Sequence, residues 1–137
     1  MAESIAHMNY VRRIVEYIAS WSGCMASLIE AELPDFAGRT TQAMNRYYPD
    51  VYYRDNDIIA IGEAKTDHDI DNSHTEIQLD AYIEHTRIFS LERHIILSCS
   101  FVSFPELKNM AIRKKRRLGL GDITFHILAP YHSPATI

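Results

Sequence analysis

Two carboxylates and an ammonium stand close together near the middle of this 137-residue chain: Asp50, Glu63 and Lys65. Glu63 and Lys65 flank Ala64 at the end of an aliphatic run, Ile58-Ile59-Ala60-Ile61-Gly62, which reads as a buried strand. Side chains alternate faces along a strand, so Glu63 and Lys65 project from one face and Ala64 from the other. Asp50 lies thirteen residues before Glu63 and leads into a second strand-like run, Val51-Tyr52-Tyr53. Between the two runs, Arg54-Asp55-Asn56-Asp57 is a cluster of turn formers, so the pair reads as a hairpin. Folding it back brings Asp50 beside Glu63. Two carboxylates held together are costly without a cation between them, and hard oxygen ligands suit Mg2+ or Mn2+. Lys65 beside them can orient a water or offset charge that develops on a phosphate.

Downstream, Ser73-His74-Thr75-Glu76 has the form of a capping box and opens a helix that runs to about His85. Gln78 and Tyr82 sit one turn apart on it and share a face. That face looks either at a cleft or into packing at the edge of the sheet.

Together these residues resemble the PD-(D/E)xK nuclease superfamily. Pro49-Asp50 is similar to its PD, Glu63-Ala64-Lys65 to its ExK, and Gln78-Leu79-Asp80-Ala81-Tyr82 to the QxxxY helix of its RecB-type exonuclease branch. The resemblance covers about the middle quarter of the chain in specific residues and the rest only in the order of elements. It implies a restriction-endonuclease-like core and Mg2+- or Mn2+-dependent hydrolysis of DNA. Asp50, Glu63 and the backbone carbonyl of Ala64 would be the metal ligands, and Lys65 the catalytic cation. Gln78 would bond the site or the substrate, and Tyr82 would touch the nucleic acid strand. Some members add an acid from a first helix, which makes Glu16 a candidate. Three versions stay open: a RecB-type nuclease acting at ends or on single strands, a structure-selective endonuclease such as a homodimeric Holliday junction resolvase, and a non-catalytic nucleic-acid-binding or assembly subunit with the same fold. An unrelated α/β domain with a coincidental motif is the fourth.

The elements that must position these residues can be read in outline. Ser4 caps an amphipathic helix over residues 4 to 21, with Met8, Val11, Val15 and Ile18 on one stripe, Glu16 opposite them and Gly23 as the stop. Residues 24 to 32 are ambiguous between a short strand and a helix, with Glu30 and Glu32 expected at exposed positions, and residues 33 to 48 read as a connection. Asp35 forms a second Pro-Asp pair there, but Asp50 is preferred because a strand follows it. Asp67, His68, Asp69 and Asp71 form an acidic loop without the glycine and distal glutamate of a calcium loop, so it reads as solvated; His68 and His74 are the histidines nearest the site. The run 94 to 102 reads as a second apolar strand, parallel to the first because a helix crosses between them. Ser103-Phe104-Pro105-Glu106 opens a further helix that ends near Gly119 and Gly121. Leu107, Met110, Ala111 and Leu118 are expected to pack on the sheet, and Lys108, Arg113, Lys114, Lys115, Arg116 and Arg117 to form an outer basic face available to phosphates. Asp122 to Leu128 reads as a last strand and 130 to 137 as a loose end.

The chain length fits one domain, residues 1 to 137, of mixed-sheet α/β type with flanking helices. With 47% hydrophobic and 23% charged residues the composition is that of an ordinary globular protein rather than a disordered chain. Cys24 and Cys99 have neither zinc nor disulfide spacing, and no apolar stretch reaches membrane-spanning length, so a cytoplasmic protein with reduced thiols and no membrane partner is expected. A net charge of -4 does not advertise a nucleic-acid binder, but a nuclease needs acid at its site and base only where it meets phosphates. Gly-rich phosphate loops, Ser-His-Asp arrangements and Cys/His ligand spacings are absent from the sequence.

Overall fold

The computed structural model describes residues 4–34, 44, 46–67, 70 and 72–137. Three helices and six strands are formed among them: α1 (Ile5–Ser22), β1 (Glu30–Ala31), β2 (Val51–Arg54), β3 (Ile58–Ala64), α2 (Ser73–Thr86), β4 (Glu92–Ser98), α3 (Phe104–Leu118), β5 (Ile123–Leu128) and β6 (Ala135–Thr136). The strands make one mixed sheet in the order β1-β2-β3-β4-β5-β6, parallel from β3 to β5 and antiparallel at both margins. A single-domain α/β architecture results.

The β2–β3 hairpin forms where expected, because Asp55 ties its turn: one carboxylate oxygen accepts from the backbone N–H groups of Asp57 (2.7 Å) and Ile58 (2.8 Å), the other from the Tyr53 hydroxyl (2.8 Å). All of β3 is buried, since both faces of the sheet are covered. On one face α1 lays Val11, Ile14, Val15 and Ile18 against Val51, Ile58, Ala60 and Ile96. On the other, α2 and α3 bring Leu79, Ile83, Leu107 and Met110 onto Ile59, Ile61, Ile95 and Phe125. Gly62 permits the first of these contacts: a Cβ there would lie 2.6 Å from Ile14 Cγ2 and 3.1 Å from Val51 Cβ.

Ser4 caps α1 through the N–H of His7 (3.0 Å), and Gly23 ends it in the left-handed conformation. Several expectations shift. Residues 24–32 hold both a 3-10 turn, Ala26–Leu28, and the short β1. The cap of α2 is Asn72, whose side chain accepts from the Thr75 N–H, one residue before the anticipated Ser73. Ser103 makes no capping bond to α3 and instead donates its hydroxyl to Asp67. The expected loose C-terminal end pairs with β5, with mutual Phe125 and Ile137 backbone bonds of 2.8 and 3.0 Å. Leu118, expected to pack on the sheet, is 44% exposed at the end of α3. Ile70 is buried in the core, so the stretch after β3 is not wholly solvated, while His68, Asp69 and Asp71, like Asp35, lie outside the described residues. Among the described residues no helix is long and apolar enough to cross a membrane.

Candidate active site

The hairpin register decides the site. Val51 pairs with Gly62, so the next residues along, Asp50 and Glu63, come opposite one another at the end of the sheet. Backbone and side chain then interlock: the Ala64 N–H donates to Asp50 Oδ2 (2.9 Å), and the Asp50 N–H donates to Glu63 Oε2 (3.2 Å). The chain on either side of the hairpin completes the frame, with the N–H of Glu32, just after β1, donating to the Asp50 carbonyl (2.9 Å) and the Lys65 N–H to the carbonyl of Ser98 in β4 (2.8 Å). Glu30 and Glu32 are half-buried.

Glu63 shares the sheet face of Ile59 and Ile61, the face on which α2 lies. There the Gln78 side-chain amide joins two charges, donating from Nε2 to Glu63 Oε1 (3.0 Å) and accepting from Lys65 Nζ. Lys65 Nζ is also 3.9 Å from Glu63 Oε1. The Tyr82 hydroxyl donates to Glu63 Oε2 (3.1 Å). Asp50, Glu63, Lys65 and Gln78 are all buried, yet an open cavity of about 320 Å³ reaches Glu63, Lys65 and Gln78, lined also by Ser4, His7 and His74 among others.

Burial pushes the Glu63 carboxyl well above the usual carboxylate range, and the negative charge of Asp50 adds to that, against the opposing pull of Lys65. Tyr82 is likewise pushed up, by burial first and then by the Glu63 charge, so it stays a neutral donor. Lys65 therefore offsets the charge of this acidic pair only in part. A divalent cation fits such a donor set, which offers Asp50 and Glu63 oxygens and the Ala64 carbonyl. Among the described residues no group of three His, Cys, Asp or Glu side chains could by itself hold a metal ion, so solvent or phosphate oxygens would complete the shell of such a cation.

Not every anticipated residue arrives here. Tyr82 is fully buried and bonded to Glu63, so it holds a carboxylate and does not present itself to a nucleic acid strand. Glu16 is exposed and lines a second cavity with Arg13, Tyr17 and His132, apart from the one at Glu63. Lys114 is corrected most sharply: its side chain is wholly buried, held by Glu76 Oε2 (2.6 Å) and Asp80 Oδ1 (2.7 Å) of α2. Arg117 also pairs with Glu76 (3.1 Å), while Arg113 and Arg116 are exposed and Lys115 half-buried. The basic run is therefore split between a clasp on α2 and an outer surface.

His7 was missed by sequence reasoning. Its Nε2 lies 3.4 Å from Asp50 Oδ2 and its side chain lines the same cavity. Its signal was weak, because only tertiary packing sets the first turn of α1 against the end of β3. Comparison of the chain with family models, with curated proteins and with solved structures finds no match.

Proposed function

We propose that the protein is a metal-dependent nuclease that hydrolyses phosphodiester bonds of DNA, using Asp50, Glu63 and Lys65. The observation that carries the reading is the buried Asp50–Glu63 pair with Lys65 and Gln78 locked onto it beside an open cavity. Holding two carboxylates together out of water is costly even with Lys65 3.9 Å from Glu63, and a further cation between them would offset that cost. The order of elements and the Pro49-Asp50, Glu63-Ala64-Lys65 and Gln78…Tyr82 residues support the resemblance to PD-(D/E)xK nucleases.

In this reading Asp50 and Glu63 hold Mg2+ or Mn2+ together with the Ala64 carbonyl. When bound, the cation supplies a water of lowered pKa and a Lewis acid for the phosphate. The chain's own groups do the rest. Gln78 and Tyr82 keep the Glu63 oxygens aimed by donating to one each. Lys65, oriented by Gln78, offsets negative charge gathering on the phosphate oxygens. His7, against Asp50, is placed to bond a water or phosphate oxygen entering the cavity.

The test is cleavage of labelled single-stranded, duplex and four-way-junction DNA with Mg2+ or Mn2+, comparing the unmodified protein with Lys65→Ala and Glu63→Ala. Metal-dependent cleavage that falls by about a hundredfold or more in both variants is expected. Folded protein that cleaves none of these substrates would overturn the reading.

A further inference from the structure

Three strand ends leave the sheet at one edge. Because Ala64 pairs with Ser98 and Ser98 with Leu128, the residues after β3, β4 and β5 emerge side by side. The first stretch carries Lys65, and the other two carry a group of rings. His132 stacks on Phe104 (4.1 Å between centroids, 8° between planes) and on Phe101 (4.8 Å, 22°). Tyr131 stands against Phe101 at 6.2 Å and 73°. Phe101 is 51% exposed and Tyr131 95%.

Burial does not explain these rings, since an exposed cluster of this kind forgoes the gain that drives aromatic side chains inward. Nor does local backbone preference, because Tyr131 has φ +64°, in the left-handed region where a side chain is disfavoured. The loop with Phe101 is fastened to the chain beyond Lys65: the hydroxyls of Ser100 (2.7 Å) and Ser103 both donate to Asp67 Oδ1. Arg13 lines a cavity of about 300 Å³ together with His132 and Glu16. Flat exposed faces at Phe101 and Tyr131, the Arg13 cation near His132 and a carboxylate–lysine cluster at the same edge of the sheet together match one ligand chemistry.

We infer that Phe101 and Tyr131, with His132 stacked between Phe101 and Phe104 as their support, form a stacking platform for the unpaired bases of single-stranded DNA, leading the strand along the sheet edge to Glu63 and Lys65. Every base has a π-face, so such a platform accepts any sequence but excludes bases held inside a duplex. The inference deepens the nuclease reading and rests on it for the direction of the strand, whereas binding can be measured without cleavage.

The experiment is equilibrium binding of a fluorescent oligothymidine and of a duplex, in chelator to prevent hydrolysis, with Phe101→Ala, Phe101→Trp and Tyr131→Gly. Loss of single-strand affinity by about tenfold is expected for Phe101→Ala and Tyr131→Gly, with near-normal binding in Phe101→Trp and unchanged weak duplex binding. Tyr131→Gly also relieves the left-handed backbone, so its thermal stability should equal or exceed that of the unmodified protein while binding falls. Unchanged single-strand affinity in both ring-removing variants overturns the platform. So does a finding that these variants alter only self-association in sedimentation. Single-strand binding through the rings without cleavage in Mg2+ or Mn2+ would sink the nuclease reading and keep the platform; cleavage with normal binding in the variants would do the reverse.

Discussion

Glu63 is held in tension. It accepts hydrogen bonds from Asp50, Gln78 and Tyr82, which favour its charged form, yet burial and the Asp50 charge push its pKa upward. An acid whose folded pKa is raised contributes its full stability below the ordinary carboxylate range and loses it as pH rises through the folded pKa. Near neutral pH without a cation, the pair therefore weighs on the fold. Asp50→Asn removes the like charge while its amide oxygen still accepts the Ala64 N–H. In chelator at pH 7.5 this variant should melt several degrees above the unmodified protein, the shift that about 1 kcal/mol produces in a domain of this size. The gap should close as pH falls into the acid range and Glu63 takes up its proton in both. Mg2+ should raise the melting temperature of the unmodified protein and leave that of the variant unchanged. A variant that melts below the unmodified protein in chelator at pH 7.5 would contradict this account.

At the scale of elements, the position of α2 controls the site, because Gln78 and Tyr82 both reach Glu63 from it. α2 is fastened to α3 by Lys114, whose ammonium bonds Glu76 and Asp80. Partial burial pushes Glu76 up, but the hydrogen bond and charge of Lys114, followed by Arg117, outweigh it and hold that carboxyl below its ordinary value. Lys114→Ala should cost about 2–4 kcal/mol in urea denaturation, from the lost pairing and the cavity left behind. Lys115→Ala, one residue on and half-buried, should cost under about 0.5 kcal/mol. Equal effects from the two would refute the clasp.

Across the whole molecule, a hydrogen-bonded chain joins the sheet to the end of α1. Glu92 Oε1 meets His94 Nε2 (2.8 Å), His94 Nδ1 meets His126 Nε2 (2.8 Å), and His126 Nδ1 meets the Tyr17 hydroxyl (2.6 Å). Trp21 packs its ring on His94 (4.4 Å). Burial lowers the pKa of both histidines; for His126 the neighbouring His94 adds to this and brings it to about 4, while Glu92 partly offsets the fall at His94. Between the ordinary imidazole value of about 6.5 and those lowered values, the unfolded chain takes up protons that the folded protein refuses. Stability complete at neutral pH should therefore decline as pH falls through that window, by up to about 1.4 kcal/mol per pH unit for one such group. Glu63 works in the opposite sense, so the useful comparison is with a His94→Gln, His126→Gln double variant. Its melting temperature should fall less than that of the unmodified protein between pH 7 and pH 5, and parallel curves would reject the assignment.

The local features were legible because they depend on neighbours in the chain. Alternation along Ile58 to Lys65, the turn formers at residues 54 to 57 and the spacing of Gln78 and Tyr82 are short-range patterns, and each produced the expected element. Even Lys114 carried a readable signal: it stands four residues after Met110 and seven after Leu107, in line with the buried stripe of α3. Its charge disguised it. By itself, then, the sequence determined the hairpin, the parallel strand pair and the meeting of Asp50, Glu63 and Lys65, since period and turn chemistry act over a few residues. Only the tertiary structure decided that Tyr82 turns inward to Glu63, that His7 rather than Glu16 faces the cavity, and that Phe101, Tyr131 and His132 gather at one edge of the sheet. Those arrangements bring together residues far apart in the chain, and packing across a sheet follows from the shape of the whole core rather than from any local pattern.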